Sequence, residues 1–415
     1  MTDRPLNALS LFTGVGGLDY GFEAAGFRTA VAVEIDKACC RMLRANRDWP
    51  VIEGDIHTVT SQRILDEAKL NAGEADVLIG GPPCQPFSKS GYWVSGDAKR
   101  LDDQRSDTLS AYLRVLEDTR PRAFLLENVS GLAYRGKDEG LSRILSGVDQ
   151  INRRAGTNYK PVWQVLNAAA YGVPQLRERV FVLASRDGAP FHFPAATHGE
   201  VGTLSSDQQP YRTTWDAIGD LPACPNEAGL GASGKWAELL PSIPEGENYL
   251  WHTPRGGGLP LFGWRTRYWN FLLKLAKNRP SWTVQAQPGS ATGPFHWTSR
   301  KLSTRELMRL QTFPDDVELN VSRSEAQRLL GNAVPSLMGE VLAREIATQL
   351  LGRKRPDELP RLLPHVRLNM PQPVAIETVR RSYMALVANH ADHPGTGLGR
   401  RAQLRVTGQL ELEQA

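Results

Sequence analysis

The sequence predicts an α/β fold built on a mainly parallel sheet, and three features of its first half carry that prediction. Apolar runs of strand length, such as residues 8–12 and 75–79, alternate with amphipathic runs of helix length. Glycine-rich turns follow both of these strands. In open α/β sheets, ligands bind at the carboxyl ends of the strands. We therefore expect the chemistry of this chain at those ends.

The predicted elements keep a strand-helix rhythm up to about residue 190. Helical character returns at residues 302–310, where Ser303 and Glu306 have capping-box spacing, and the segment from Gly331 to Pro335 is predicted to open a final helix reaching about residue 351. The predicted strands are 8–12, 27–33, 51–53, 75–79, 123–129, 162–170 and 180–184, and the earlier helices are 18–25, 38–45, 105–120 and 141–154.

The composition is that of an ordinary globular protein. With 415 residues, 41% of them hydrophobic, the chain is long enough for two domains. It has no apolar run of about 18 residues and no basic-then-apolar amino terminus, so we expect a cytoplasmic protein without a membrane span. The four cysteines lack C-x-x-C spacing, which predicts reduced thiols and no metal site. The net charge of +4 is compatible with nucleic acid but proves little.

Three candidate ligand features lie at the ends of the first three strands, one at each. Gly14, Gly16 and Gly17 form a turn that lets the backbone approach a ligand, although an uninvolved turn would look the same. Asp19 stands where the dinucleotide fingerprint has its third glycine, which favours a smaller nucleoside ligand. Glu34 follows the second strand where Rossmann-type folds bind ribose, and Asp55 follows the third; each also fits an ordinary helix start or turn.

A stiff loop carries the candidate nucleophile. Two prolines precede Cys84, which comes just past the buried strand at residues 75–79. The alternative is a packed cysteine in a proline-rich turn. The polar segment at residues 90–104 is long enough to be a lid.

Further polar residues end the later strands. Glu127 follows four apolar residues, which predicts a raised pKa and a functional role, or else a satisfied buried carboxylate. Arg177 and Arg179 alternate, so a continuous strand would direct both to one face. Ion pairs would explain them equally well.

Beyond about residue 190 the chain becomes rich in glycine, proline and tryptophan, with interspersed cations, up to about residue 300. This pattern fits a smaller, loop-rich domain that contacts nucleic acid, although tryptophans more often fill cores. The tail from residue 352 contains one predicted helix at 374–390 and suggests no chemistry.

Six motifs, in order and spanning about residues 9–351, resemble those of the DNA (cytosine-5)-methyltransferase family. The resemblance implies a Rossmann-like, S-adenosylmethionine-dependent methyltransferase fold, with a mixed, mainly parallel sheet and helices on both faces, plus a smaller loop-rich target recognition domain. The matching segments are F-T-G-V-G-G from Phe12, G-P-P-C-Q-P-F-S from Gly81, E-N-V from Glu127, Q-L-R-E-R from Gln175, R-E through L-Q-T-F-P-D from Arg305, and G-N-A-V-P from Gly331.

The resemblance implies a covalent mechanism. The Cys84 thiolate would add to C6 of a cytosine flipped out of the duplex, so that C5 becomes nucleophilic. Glu127 would hydrogen-bond or protonate N3, while Arg179 and Arg177 would hold the base at O2 and stabilise developing charge. Gln85, Ser88 and Asn128 are implied at the substrate.

The implied cofactor is S-adenosyl-L-methionine, released as S-adenosyl-L-homocysteine, with no metal. The resemblance places the adenine near Phe12, the methionine end at the turn from Gly14 to Gly17, the ribose at Glu34 and the adenine amino group at Asp55. It adds Pro82, Leu109 and Asn332 to the cofactor pocket.

The predicted organisation is a catalytic domain at 1–190, target recognition at 191–300 with base-reading residues between about 222 and 280, a return to the catalytic domain at 301–351, and an extension at 352–415. The implied partner is double-stranded DNA, and the methylase is expected to be a monomer. It is either the protective half of a restriction-modification pair, with a cognate restriction endonuclease acting on the same site without a stable complex, or a solitary enzyme. A transfer-RNA cytosine methylase and a non-catalytic DNA-binding relative are the alternatives; intact Cys84, Glu127 and Arg179 argue against the latter.

Overall fold

The computed structural model describes residues 4–83, 107–133, 139–264 and 268–390. Cys84, Gln85, Ser88 and the predicted lid at 90–104 lie outside the described residues. The chain forms two compact units, called here the first and the second unit. The first comprises Met1–Asp220, Pro280–Ala286 and Thr304–Arg367, and the second comprises Leu221–Arg279, Gln287–Ser303 and Leu368–Ala415.

One seven-stranded sheet organises the first unit. The strands in chain order are β1 (Leu6–Leu11), β2 (Phe27–Glu34), β3 (Val51–Glu53), β4 (Val77–Gly80), β5 (Ala123–Val129), β6 (Val162–Asn167), β7 (Gln175–Leu176), β8 (Glu178–Ser185), β9 (His198–Gly199), β10 (Gln209–Pro210) and β11 (Ser281–Trp282). The sheet order is β3-β2-β1-β4-β5-β8-β6. Strand β8 runs antiparallel to β5 and β6, and the other neighbours in the sheet are parallel. Strands β7 and β11 form a separate pair, as do β9 and β10.

Helices cover both faces of this sheet. In chain order the α-helices of the described residues are α1 (Gly17–Ala24), α2 (Lys37–Asn46), α3 (Ser61–Ala68), α4 (Asp107–Thr119), α5 (Glu139–Ala155), α6 (Thr214–Ile218), α7 (Thr304–Leu310), α8 (Arg323–Asn332) and α9 (Ser336–Gln349). Alternate residues of β1 enter different cores: Leu9 and Leu11 pack with α4 and α5, while Leu6 and Ala8 pack with α1 and α9. The predicted α/β class, with a mainly parallel sheet between helical layers, is confirmed.

Two predicted helices are corrected by the structure. Gly331 and Asn332 end α8, a helix the prediction lacked, and the final helix begins only at Ser336, after Pro335. The tail does not form a helix over 374–390; it contains a single 3₁₀ turn at Arg381–Leu386. Backbone groups upstream of that turn bond outward, as when Glu377 N–H donates to the Pro241 carbonyl, so they are not available to a helix.

In the second unit the described residues pack around an aromatic core and form no sheet. Its described residues form 3₁₀ turns at Ala237–Ser242, Tyr249–His252 and Arg381–Leu386. Trp236, Phe262 and Phe271 meet edge to face, with ring centroids 5.0–5.9 Å apart. Throughout the part of the chain that the structure describes, no helix is both long and apolar enough to span a membrane.

Candidate active site

The turn between β1 and α1 has the left-handed backbone that its glycines permit. Phe12, Gly14 and Gly16 have φ values of 54°, 57° and 84°. A non-glycine residue such as Phe12 pays about 1 kcal/mol or more for this conformation, which is why such residues concentrate at functional sites. A Cβ added to Gly14 would meet nothing within 4 Å. The turn therefore borders open space at the carboxyl end of β1.

Glu34 fastens this turn to the end of β2. Its carboxylate accepts hydrogen bonds from the backbone N–H groups of Gly14 at 2.7 Å, Ile35 at 2.9 Å and Asp36 at 2.7 Å. Burial raises the pKa of the Glu34 carboxyl, and these hydrogen bonds oppose the shift. The neighbouring Ile35 is 63% exposed. The sequence analysis did not name Ile35 as a candidate site residue, although an apolar residue between two carboxylates at the end of a strand could have indicated one.

The other candidate cofactor residues occupy varied environments. The Asp55 carboxylate accepts a hydrogen bond from the His57 N–H at 3.0 Å and contacts the His57 ring nitrogen at 2.7 Å, and these bonds lower its pKa. Pro82 follows β4, and Leu109, in the first turn of α4, is buried in the core. Asn332, the last residue of α8, is exposed.

Asp19 lies buried on α1 beside this turn. It is 1% exposed, its Oδ1 accepts from the Thr29 hydroxyl at 3.3 Å, and its Oδ2 has no partner among the described residues. Burial raises the pKa of Asp19 to about 7. The folded chain therefore keeps a proton on Asp19 near neutral pH that the unfolded chain has lost.

We expect Asp19→Asn to flatten the pH dependence of stability. Between about pH 4 and pH 7 the folded state binds one proton more than the unfolded state, so the free energy of unfolding falls as pH rises through that window. The full penalty, present above the folded pKa, is at most about 4 kcal/mol. Urea denaturation at pH 5 and pH 8 should show a larger loss for the native chain than for Asp19→Asn. Equal losses in both chains would contradict this account.

Glu127 and Arg179 form a buried pair across two antiparallel strands. Glu127 lies on β5, and its Oε1 is 2.9 Å from Arg179 Nε on β8. Burial raises the pKa of Glu127, while the charges of Arg179 and Arg177 oppose the shift. A Cβ on Gly81 would lie 2.7 Å from Glu127 Oε2. The carboxyl group is thus packed against the backbone that leads into Cys84.

Two side chains hold the backbone immediately before Cys84. Asn128 Nδ2 donates to the Pro82 carbonyl at 3.0 Å, and the Thr108 hydroxyl donates to the Pro83 carbonyl at 3.3 Å. Asn128 Oδ1 accepts from the Val129 N–H at 2.8 Å. Predicted as a substrate ligand, Asn128 is 4% exposed and bonds backbone groups.

Arg177 differs from the expectation that it shares a face with Arg179. The strand is interrupted at Arg177, between β7 and β8, and its side chain is 1% exposed. Its guanidinium donates to the carbonyls of Val284 at 3.2 Å and of Gly331 and Ala333 at 2.8 Å. Burial, followed by the charge of Arg179, lowers its pKa. Arg177 therefore ties the end of α8 to the sheet, while Arg179 alone pairs with Glu127.

Together, the glycine turn, the acidic residues at the ends of β2 and β3 and the mixed sheet define a Rossmann-like class of protein with a candidate nucleoside site at the carboxyl end of its sheet. Within the described ranges no group of three or more His, Cys, Asp or Glu side chains could hold a metal.

Comparison with known proteins narrows that class. The chain is 40% identical over 375 residues to the type II methyltransferase M.SacI of Streptomyces achromogenes, covering 84% of this chain and 94% of the relative. It is 33% identical over 342 residues to M.NgoFVII of Neisseria gonorrhoeae, covering 81% and 85%. The crystal structure of the S. pombe Dnmt2 methyltransferase has the same fold, with a TM-score of 0.56, 18% identity and 83% and 99% coverage.

Residues 6–348 match the family described as C-5 cytosine-specific DNA methylase, and the chain belongs to that family. It is a DNA cytosine-5-methyltransferase of the type II kind. The family uses S-adenosylmethionine and acts on DNA.

Proposed function

We propose that this chain methylates C5 of one cytosine within a short sequence of double-stranded DNA, through a covalent bond between Cys84 and C6. The observation that carries the proposal is the Glu127–Arg179 pair, buried against Gly81 three residues before Cys84. A thiol nucleophile, a carboxyl group of raised pKa and a fixed guanidinium are the groups that this chemistry requires.

The residues around the glycine turn fit S-adenosylmethionine. Open space at Gly14 suits the amino acid end, and the partly exposed Asp55 carboxylate suits the adenine amino group. The exposed Ile35 offers an apolar surface to the adenine ring, for which Phe12 is also a candidate, and Glu34 remains the candidate for the ribose hydroxyls. The bound cofactor supplies an electrophilic methyl group. Position 17 also requires glycine for a structural reason, because a Cβ there would clash with the Val334 carbonyl oxygen.

The chain's own groups then act in sequence. Cys84, as a thiolate, forms a bond to C6, and Glu127 gives a proton or strong hydrogen bond to N3 as the ring's aromaticity is lost. Arg179 holds the base and stabilises the developing charge. Arg177, Asn128 and Thr108 act as positioning residues for this arrangement. After C5 is methylated, loss of its proton to a base expels the Cys84 thiolate by elimination and restores the aromatic ring.

The base must leave the duplex for Cys84 to reach C6, so the reaction requires base flipping. We assign DNA reading to the second unit. Tyr268 and Trp269, 57% and 58% exposed, lie on a turn fixed by the Tyr268 carbonyl, which accepts from Phe271 N–H at 2.9 Å, and by the Trp269 carbonyl, which accepts from Asn248 at 3.1 Å. Exposed aromatic side chains on a turn held by these two hydrogen bonds suit contact with DNA.

Trp269→Ala is therefore expected to weaken binding of the target duplex by about tenfold, since truncating a tryptophan at a contact with a macromolecule typically costs roughly 1–2 kcal/mol. Fluorescence anisotropy with a labelled duplex measures the effect. Leu259→Ala, which removes another exposed apolar side chain of the same unit, is the control. Equal affinities for the native chain and Trp269→Ala would remove Trp269 from the DNA contact.

Base-resolution conversion sequencing tests the whole proposal. Plasmid from cells that express the chain should carry 5-methylcytosine at one short sequence, and plasmid from cells expressing Cys84→Ala should carry none. Methylated transfer RNA beside unmodified plasmid would favour the RNA methylase alternative. Absence of 5-methylcytosine from both would favour a non-catalytic DNA-binding relative. We further propose a monomeric cytoplasmic enzyme that protects DNA from a cognate restriction endonuclease.

A further inference from the structure

The C-terminal extension continues beyond the segment that matches the family, which ends at residue 348. Residues 368–390, called the tail below, belong to the second unit. Nothing in the sequence suggested a role for them. In the structure they make specific contacts with that unit's core.

Tyr383 is the centre of these contacts. It is 6% exposed and stacks on Trp236, with ring centroids 5.9 Å apart and an interplanar angle of 16°. Its hydroxyl donates to the Lys235 carbonyl at 2.7 Å. Trp236 in turn meets Phe271 edge to face at 5.9 Å. The tail thus supplies one wall of the aromatic core.

The tail also completes a buried ion pair. Lys277 and Glu245 contact each other with side chains 5% and 6% exposed. The Val374 N–H donates to Glu245 Oε1 at 2.7 Å, and Lys277 Nζ donates to the Gln372 carbonyl at 3.3 Å. A buried ion pair is tolerated only when its remaining hydrogen-bonding capacity is satisfied. Tail backbone provides part of that capacity.

We propose that the tail is required for DNA binding by the second unit and that Tyr383 is a positioning residue for that binding. The inference rests on the proposed function of the second unit. Tyr383 braces Trp236, Trp236 braces Phe271, and the Phe271 N–H closes the turn that carries Tyr268 and Trp269. Losing the stack between Tyr383 and Trp236 should therefore make the turn that carries Tyr268 and Trp269 less well ordered.

Three full-length variants test the proposal. Tyr383→Ala removes the stack, Tyr383→Phe keeps the stack but loses the hydroxyl, and Met384→Ala changes the adjacent, 46% exposed side chain. Hydrogen exchange of amides in residues 249–273 should be about 3- to 10-fold faster in Tyr383→Ala, the factor expected for loss of an aromatic pair. Its KM for DNA should rise by a similar factor, with kcat and the KM for S-adenosylmethionine unchanged.

Tyr383→Phe should restore most of both properties, and Met384→Ala should match the native chain. Unchanged exchange in Tyr383→Ala would overturn the proposal while leaving the proposed methylation intact. Faster exchange with an unchanged KM for DNA would overturn it too, because the tail would then support the unit without affecting DNA binding; DNA reading by the second unit is tested separately by Trp269→Ala. Binding of S-adenosylhomocysteine, measured by calorimetry, reports whether each variant retains a folded first unit.

Discussion

Replacing Glu127 by glutamine is expected to lower the turnover number by about 10²- to 10⁴-fold, the usual contribution of a positioned general acid. The amide keeps the size of the side chain but cannot deliver a proton to N3 of the cytosine. Because burial raises the pKa of Glu127, its acid form persists to higher pH than that of an ordinary glutamate. Single-turnover methylation of the mapped duplex measures the loss, and the affinity for S-adenosylmethionine should change little.

Glu178, the residue next to Arg179, provides a matched control for Glu127→Gln. Glu178 precedes Arg179 on β8, and its side chain is exposed. Glu178→Gln removes the same charge without touching the buried pair, so its turnover should equal that of the native chain. Native turnover in Glu127→Gln would exclude Glu127 as the N3 partner.

Local patterns were sufficient to predict most of the sheet. The strands at residues 51–53 and 123–129 have the predicted bounds, because each is a short apolar run between clear breaks. Helix α8 escaped prediction, yet Ser322 accepts from the Glu325 N–H at its start, a spacing visible in the sequence. This helix could therefore have been predicted from the sequence, because its capping signal is local.

Other features depend on residues far apart in the chain and could not be predicted locally. Alternation predicted a common face for Arg177 and Arg179, but Arg177 is drawn to carbonyls more than 100 residues away. Two other contacts arise only when β4 and β5 pair: Glu127 packs against Gly81, and Asn128 donates a hydrogen bond to the Pro82 carbonyl. Residue types at the site were therefore predictable, whereas their mutual support was not.

Gly21→Ala is expected to destabilise the first unit, although alanine is intrinsically the better helix former by about 1 kcal/mol. A Cβ on Gly21 would lie 2.5 Å from the Glu340 nitrogen and 2.7 Å from the Gly339 carbonyl carbon, and closer still to the Ser336 carbonyl oxygen. These are backbone atoms of α9 and cannot rotate away. Separating α1 from α9 disturbs the core that both helices share, at a cost of about 2 kcal/mol or more.

The sign of the change in unfolding free energy shows which effect dominates, because helix propensity alone predicts a gain for Gly21→Ala and packing predicts a loss. Gly147→Ala, in the middle of α5, is the matched control, because the nearest atoms to a Cβ there are side-chain carbons of Leu113, the closest of them a terminal methyl that can move. Urea denaturation should show a clear loss of unfolding free energy for Gly21→Ala and a change of less than about 1 kcal/mol for Gly147→Ala. If Gly21→Ala were as stable as the native chain, α1 and α9 could not approach as closely as described. Because Gly17 meets the Val334 carbonyl, just before α9, the last glycine of the F-T-G-V-G-G motif is required for packing as well as for the cofactor turn.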